Sequence, residues 1–263
     1  MDALVTAGGI PQPGEPLYEH TQGNSKALLQ ISGKPMIQWV LDALDGAAAI
    51  DRVLVIGLAE ESGVNSNKVV GFMPNQGSMV ANIQVGMKRL LELDPTERHV
   101  LIVSSDIPGI TAEMVDWVVS AAMKTDEDAY YNVISRQVME KTFPASKRSY
   151  VRLKDIDLCG GDMNIVRSSL VTSRDEIWDK LVASRKNAFK QAALIGYDTL
   201  FLLLLRRITL EDTVRRATGR LKITGKAIVC PFAEVGMDVD KPHQLDMLRE
   251  YFSRRRSAKE VAV

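Results

Sequence analysis

Three short stretches of this sequence bring together residues able to handle phosphate and a hard metal ion. Ser104-Ser105-Asp106-Ile107-Pro108 follows the aliphatic run Val100-Leu101-Ile102-Val103. Such a run reads as a buried parallel strand, so Asp106 would stand at the strand's carboxyl end, where ligands of open α/β folds collect. A lone aspartate there can equally cap the next helix, and a partner has to decide. Gly236-Met237-Asp238-Val239-Asp240-Lys241-Pro242 supplies two carboxylates at alternate positions, which an extended chain turns to one side. Mg²⁺ suits such oxygens, because it takes one or two carboxylates and fills its other positions with water and substrate phosphates. Asp240, just ahead of Lys241-Pro242, can also be read as a helix N-cap. Lys26, in Asn24-Ser25-Lys26-Ala27-Leu28-Leu29, and Lys34, behind Gly33, are cations able to offset charge on a transferred phosphate, or else simply solvated lysines.

A fourth stretch is a loop. Ala3-Leu4-Val5-Thr6 is β-prone and ends in Ala7-Gly8-Gly9, where glycine allows close backbone approach to a ligand. This is neither the Gly-x-x-x-x-Gly-Lys-Ser/Thr phosphate loop nor the Gly-x-Gly-x-x-Gly dinucleotide fingerprint. Residues 10–25 are rich in Pro, Gly, Gln and Asn and lack helical periodicity, which predicts an active-site loop. They contain no lysine or arginine.

Regular elements must hold these stretches together. Val53-Leu54-Val55-Ile56-Gly57 joins the other two aliphatic runs as a buried parallel strand. A helix from Pro35 carries Ile37, Val40, Leu41 and Leu44 at helical spacing; a second, capped by Ser78, runs through Leu91; a third spans Thr111 to Met123. This alternation predicts an open α/β fold with helices on both faces. After Tyr130-Tyr131-Asn132-Val133-Ile134 the repeat gives way to short strands near 150–153 and 163–166, then to a helical block over about 173–220. Within that block the run Leu200–Leu205 predicts a core helix. Ala227-Ile228-Val229-Cys230 returns to strand, Pro242 to Phe252 closes the fold as a helix, and a short basic tail covers 253–263.

Composition narrows the partners. Lysine plus arginine and aspartate plus glutamate are equal at 33 each, so no overall field draws the chain to nucleic acid or an anionic membrane. The longest apolar run falls far short of the roughly 18–20 residues that cross a bilayer. Cys159 and Cys230 stand outside any Cys-x-x-Cys spacing, and three histidines are scattered, which removes a zinc site and predicts thiols as apolar fillers in a cytoplasmic protein.

Taken in order, Ala7-Gly8-Gly9, Lys26-Ala27-Leu28-Leu29, Gly33-Lys34-Pro35-Met36-Ile37, Asp106 and Asp238-Val239-Asp240 resemble the MobA-like nucleotidyltransferase family. The resemblance runs from residue 1 to about 135 and resumes near 227–252, and it implies a Rossmann-like GT-A-type fold with a mostly parallel mixed sheet and helices on both faces; the chain then reads as a single domain over 1–263, with a helical insertion over about 173–220 that the family does not account for. It implies an enzyme that moves a nucleoside monophosphate from an NTP, GTP or CTP above all, to a small phosphorylated or sugar acceptor with Mg²⁺ and release of pyrophosphate. By the same resemblance Ala7, Gly8, Gly9, Gly77, Ser78 and Asn82 contact the nucleotide, Lys26 binds phosphate, and Asp106, Asp238 and Asp240 hold the metal. Lys26 and Asp106 are then the catalytic pair, and Gly161, Asp162 and Asn164, in Gly160-Gly161-Asp162-Met163-Asn164, form the acceptor side. The helical block would shape the acceptor pocket or a homodimer contact. The family's loop carries an arginine for the triphosphate that residues 10–25 lack. Two alternatives therefore stay open, a nucleotide-binding regulator or scaffold weakened in catalysis and a nucleotide-sugar glycosyltransferase.

Overall fold

A computed structural model describes residues 1–172 and 196–261. Eight strands are labelled in chain order: β1 (Asp2–Thr6), β2 (Arg52–Ile56), β3 (Val69–Met73), β4 (His99–Ser104), β5 (Ala129–Ser135), β6 (Asp157–Gly160), β7 (Met163–Arg167) and β8 (Gly225–Cys230). With the short strand Val151–Arg152 they form one nine-stranded sheet in the order β3-β2-β1-β4-β7-β5-β6, with Val151–Arg152 beyond β6 and β8 paired to β5. The first four strands are parallel, with Leu4 facing both Leu54 and Ile102. β7 then runs antiparallel to both β4 and β5, so the sheet is mixed. β3 and β6 are strands the sequence patterning did not announce; Gly71 interrupts β3, whose residues are only half-buried or exposed.

Helices cover both faces. On one lie α1 (Met36–Gly46) and α3 (Ala112–Ala122), which bury Ile37, Val40, Leu41, Val115 and Val118 against β1, β2 and β4. On the other lies α2 (Met79–Leu93), whose Met87 and Leu90 close over Leu4, Leu54 and Ile56. Gly86 lets α2 approach the sheet, since a methyl there would stand 2.5 Å from Leu4 Cδ1. Ser78 caps α2, its hydroxyl accepting from Ala81 N at 3.1 Å. Both cysteines are buried, as fillers should be.

The helical block is described only from 196 onward; its first part, 173–195, lies outside the described residues. Two helices follow, α4 (Tyr197–Leu204) and α5 (Leu210–Leu221), before β8 and the closing α6 (Pro242–Val261). The run Leu200–Leu205 is helical but is not a core helix. Leu202 and Leu203 pack beside Val133, Leu158 and Ile208, whereas Phe201 and Leu204 are 60% and 80% exposed. A helix apolar all round has only one side to give to a core, and here two of its leucines occupy it. Among the described residues no helix is long and apolar enough to cross a membrane.

One irregularity bears directly on function. β6 and β7 are two parts of one stretch running along β5. Cys159 faces Ile134 and Ile165 faces Tyr130, six residues on one side against four on the other. The two extra residues form a bulge at Gly161–Asp162. Gly161 N donates to Asn132 O at 2.8 Å, and the Asn164 carboxamide closes the gap by accepting from Asn132 N and donating to Gly161 O, both at 2.9 Å. Bulges re-aim side chains, and this one turns Asp162 toward the end of β4, where Ser104 N donates to Asp162 O at 3.0 Å.

Candidate functional site

The carboxyl ends of β1 and β4 lie side by side, joined where Ser105 N donates to Thr6 O at 3.1 Å. The chain leaving β1 turns through Ala7-Gly8-Gly9, and the loop that follows is tied back onto it. Ser25 Oγ donates to Ala7 O at 2.9 Å, and Lys26 N donates to Gly9 O at 2.9 Å. Ser25 also accepts from Ala27 N, capping the single turn Lys26–Leu28 that aims the lysine. Buried Leu17 and Thr21 anchor the rest of the loop.

The glycines are required by close approach. A methyl on Gly8 would stand 2.7 Å from Asn75 Oδ1 and 2.8 Å from Asn82 Nδ2, and one on Gly57 would stand 2.3 Å from Gly8 N. Asn75 Nδ2 donates to Gly8 O at 2.9 Å, while Asn75 Oδ1 accepts from Gly77 N at 3.0 Å and from Asn82 Nδ2 at 3.2 Å. Asn82 Oδ1 accepts from Gln76 N at 2.7 Å, so its carboxamide holds the 75–78 turn against the glycine loop. Asn75 is a site residue that the sequence alone did not single out, although an Asn-Gln-Gly turn beside a capped helix was a signal for it. Between these walls opens a cleft of about 250 Å³, lined by Gly8, Gly9, Lys26, Asn75, Ser78 and Asp106 among others.

Lys26 stands at the floor between two carboxylates, its Nζ 2.6 Å from Asp106 Oδ2 and 2.6 Å from Asp240 Oδ1. Burial works to lower the pKa of this ammonium, but Asp106 and Asp240 outweigh it and hold it above the ordinary lysine value. The segment carrying Asp240 is fixed to the same floor, with Val239 N donating to Asp106 O at 3.0 Å. Asp240 therefore faces Lys26 rather than capping α6. Asp238 pairs instead with Arg148, a residue between α3 and β6 that no sequence pattern marked. Asp162 joins the group from the bulge. Burial first, then the negative charge of Asp106, push its carboxyl up to about 7, partly opposed by Arg148.

Of the expected site residues, the structure thus brings Gly8, Gly9, Lys26, Gly77, Ser78, Asn82 and Asp106 to one cleft, with Asp240 and Asp162 at its floor. Ala7 is buried behind it, its N–H given to Ile56 O at 2.7 Å. Gly161 and Asn164 build the bulge, and both ends of the Asn164 carboxamide are already engaged. Lys34 lies elsewhere, paired with Asp42 and over the Trp39 ring. Among the described residues, no three His, Cys, Asp or Glu side chains converge on one point as a metal cage. Asp106 Oδ1 is buried and without a hydrogen-bond partner among the described residues. A carboxylate oxygen kept dry and unpartnered is costly unless a ligand completes it, and a hard divalent ion fits it.

Comparison with known proteins agrees with this geometry. The family described as MobA-like NTP transferase domain matches residues 19–177. A hypothetical transferase from Thermus thermophilus superposes with a TM-score of 0.80 at 31% identity, over 93% of this chain and 98% of that one. A CMP:2-keto-3-deoxy-manno-octonic acid synthetase solved with CTP shares the fold at 14% identity and a TM-score of 0.59, over 97% and 98% of the two chains. A probable molybdenum cofactor guanylyltransferase from Thermococcus gammatolerans is 24% identical over 107 residues, 41% of this chain and 53% of that protein, so the match spans about half the length of that relative.

Proposed function

The chain belongs to the MobA-like NTP transferase family and is a nucleotidyltransferase, and on that premise we propose that its cleft binds GTP or CTP and passes the nucleoside monophosphate to a small phosphorylated or sugar acceptor. The observation that carries this reading is Lys26 held between Asp106 and Asp240 on the floor of the cleft, beside the unpartnered Asp106 Oδ1. The glycine loop and the Asn75–Ser78 turn enclose base and sugar, with Gly8 leaving room for the backbone to approach. An acceptor oxygen attacks the α-phosphorus in line, the bond from that phosphorus to the α–β bridging oxygen breaks, and pyrophosphate leaves with the electron pair. Lys26 offsets the charge that gathers on the phosphate oxygens and keeps the chain reversal at Gly9 in place. Asp162, aimed by its bulge, and Gly161 face the acceptor, and Arg148 adds a cation to that side. Asp106 and Asp240 would hold Mg²⁺, and Asp238 would join them on release from Arg148. When bound, the ion supplies charge neutralisation at phosphate oxygens without any proton transfer.

Asp106→Asn tests this directly, since it keeps shape and removes the charge. In the presence of Mg²⁺ and a panel of phosphorylated sugars and sugar-like acceptors, pyrophosphate release from GTP or CTP should fall on the order of 100-fold in a variant that still unfolds cooperatively. Unchanged turnover in the folded variant would reject the site.

A further inference from the structure

Each carboxylate proposed to hold the metal ion is paired with a cation of the chain itself, and the two cations are not equally free to leave. Lys26 serves Asp106 and Asp240 from a backbone tied to Gly9. Asp106 keeps its second oxygen, Oδ1, without a partner, so a metal ion can attach there while Lys26 stays.

Arg148 is placed differently. It pairs with Asp238 Oδ1, and the two side chains are only 14% and 15% exposed. The residue lies in the irregular stretch between Thr142 and Val151, whose backbone is anchored just ahead of it. Phe143 and Ser146 are buried, Ser146 N donates to Phe143 O at 3.1 Å, and Ser146 O accepts from His243 Nε2 at 3.3 Å. Lys147 then turns the chain at a φ of +51°. The guanidinium is thus carried on a long stem from a fixed base, outside any helix or strand. Cys159, Asp162 and Tyr131 all feel its charge. Tyr131 lies beside the same bulge as Asp162, since a methyl on Gly160 would stand 2.3 Å from the tyrosine oxygen.

A divalent ion at Asp238 repels the guanidinium next to it, and a guanidinium left mostly buried without an anion is costly. A phosphate removes that cost, because the planar fork of arginine binds two of its oxygens at once. Asp162 is the other carboxyl close by, but burial favours its neutral form and makes it a weak rival.

We propose that Arg148 is the receptor for a phosphate group of the acceptor, held by Asp238 until a divalent ion takes that carboxylate and releases the guanidinium. Metal and acceptor then bind cooperatively, and the acceptors narrow to phosphorylated ones. The inference rests on the cleft being the nucleotide site. A phosphate of the nucleotide is the rival source of the same chemistry.

Calorimetric titrations of the full chain test both halves. With Mg²⁺ alone, Arg148→Gln should bind the ion about tenfold more tightly than wild type, because the competitor for Asp238 is gone. Arg148→Lys keeps a cation at Asp238 and should stay near wild type. Asp238→Asn frees the guanidinium without any metal, so in EDTA it should bind inorganic phosphate about tenfold more tightly than wild type does. With saturating Mg²⁺ and GTP or CTP, wild type should bind inorganic phosphate about tenfold more tightly than Arg148→Gln. Unchanged or weaker Mg²⁺ binding in Arg148→Gln, or wild-type phosphate affinity in Asp238→Asn, would show a merely structural ion pair and overturn the exchange. Equal phosphate affinity in wild type and Arg148→Gln would overturn the receptor role. Phosphate that is displaced by GTP or CTP hands Arg148 to the nucleotide and overturns the acceptor assignment while leaving the cleft reading standing. Wild type that binds neither nucleotide removes the cleft reading and the acceptor assignment with it. Thermal unfolding of each variant shows that the comparison is made on folded protein.

Discussion

Gly9→Ala separates positioning from stability more cleanly than any catalytic substitution. Gly9 lies outside the left-handed region, so alanine adopts its backbone without strain. The added methyl meets Lys26 Cε at 2.9 Å and its Cδ and Cγ at 3.3 Å. All three atoms belong to a flexible side chain, so the clash is relieved by moving the lysine rather than the fold, and the stability loss should stay below the about 1–3 kcal/mol of core overpacking. The movement has nowhere harmless to go. Lys26 Nζ is held at 2.6 Å by both Asp106 and Asp240, and these are the contacts that the displaced stem gives up first. A misplacement approaching 1 Å can cost on the order of 10²-fold in rate. A shift of a few tenths of an ångström should therefore lower kcat/KM by about tenfold. Pyrophosphate release and urea unfolding on the same preparation give the two readouts. Gly71→Ala is the control, because its methyl would meet only Leu54 Cδ1 at an ordinary 3.6 Å. Unchanged kcat/KM in Gly9→Ala, or a rate loss matched by global unfolding, would refute the reasoning.

Two further outcomes follow from the same geometry. Because the Asp162 carboxyl is pushed from 3.8 up to about 7 in the folded chain, ionising it costs stability. The wild type should lose stability as pH rises from about 4 through about 7, and Asp162→Asn should not. In EDTA, urea unfolding should then find the variant more stable at pH 8 by up to about 4 kcal/mol and no more stable at pH 4. An equal difference at both pH values would show that Asp162 is not the titrating group. Gly57→Ala is the opposite case to Gly9, since the methyl would lie 2.3 Å from Gly8 N at a backbone φ of +98°. No side chain can yield there, so urea unfolding should register a loss of about 2–4 kcal/mol; a loss below 1 kcal/mol would show that the β2 end is looser than this packing implies.

What was legible in the sequence followed from signals that act locally. Aliphatic runs gave β1, β2 and β4, the Ser78 hydroxyl marked the start of α2, and a carboxylate directly after a buried strand marked Asp106. Asp238 and Asp240 share a segment, so their alternation was visible, but which of them meets Lys26 depends on a crossing between residues more than 200 positions apart. Arg148 was invisible for the same reason: it lies in an irregular loop and acquires a role only because that loop passes Asp238. The turn at Gly160–Asn164 was half legible. Its Gly-Gly-Asp composition announced an irregularity, while the two-residue excess that makes it a bulge exists only relative to β5. The apolar run at Leu200–Leu205 misled because hydrophobicity without periodicity does not say which side of a helix is covered.

The charges at the site account for its need of a partner. Four carboxylates, Asp106, Asp162, Asp238 and Asp240, meet two cations, Lys26 and Arg148, and in the cavity beside Gly9 Glu15 offsets Lys241, so the group carries two surplus negative charges when all are ionised. In a chain of no net charge the balancing positive charges are spread over the rest of the molecule, away from the site. Burial first, and then the negative charge of Asp106, raise the Asp162 carboxyl toward neutrality, and Asp106 keeps a buried oxygen without a hydrogen-bond partner. A proton on Asp162 would remove one of the two surplus charges, whereas a divalent cation at Asp106 would remove both. A polyanion would therefore be poorly served by these residues alone, and the Mg²⁺ proposed for the site would supply the neutralisation that nucleotidyl transfer from a triphosphate requires.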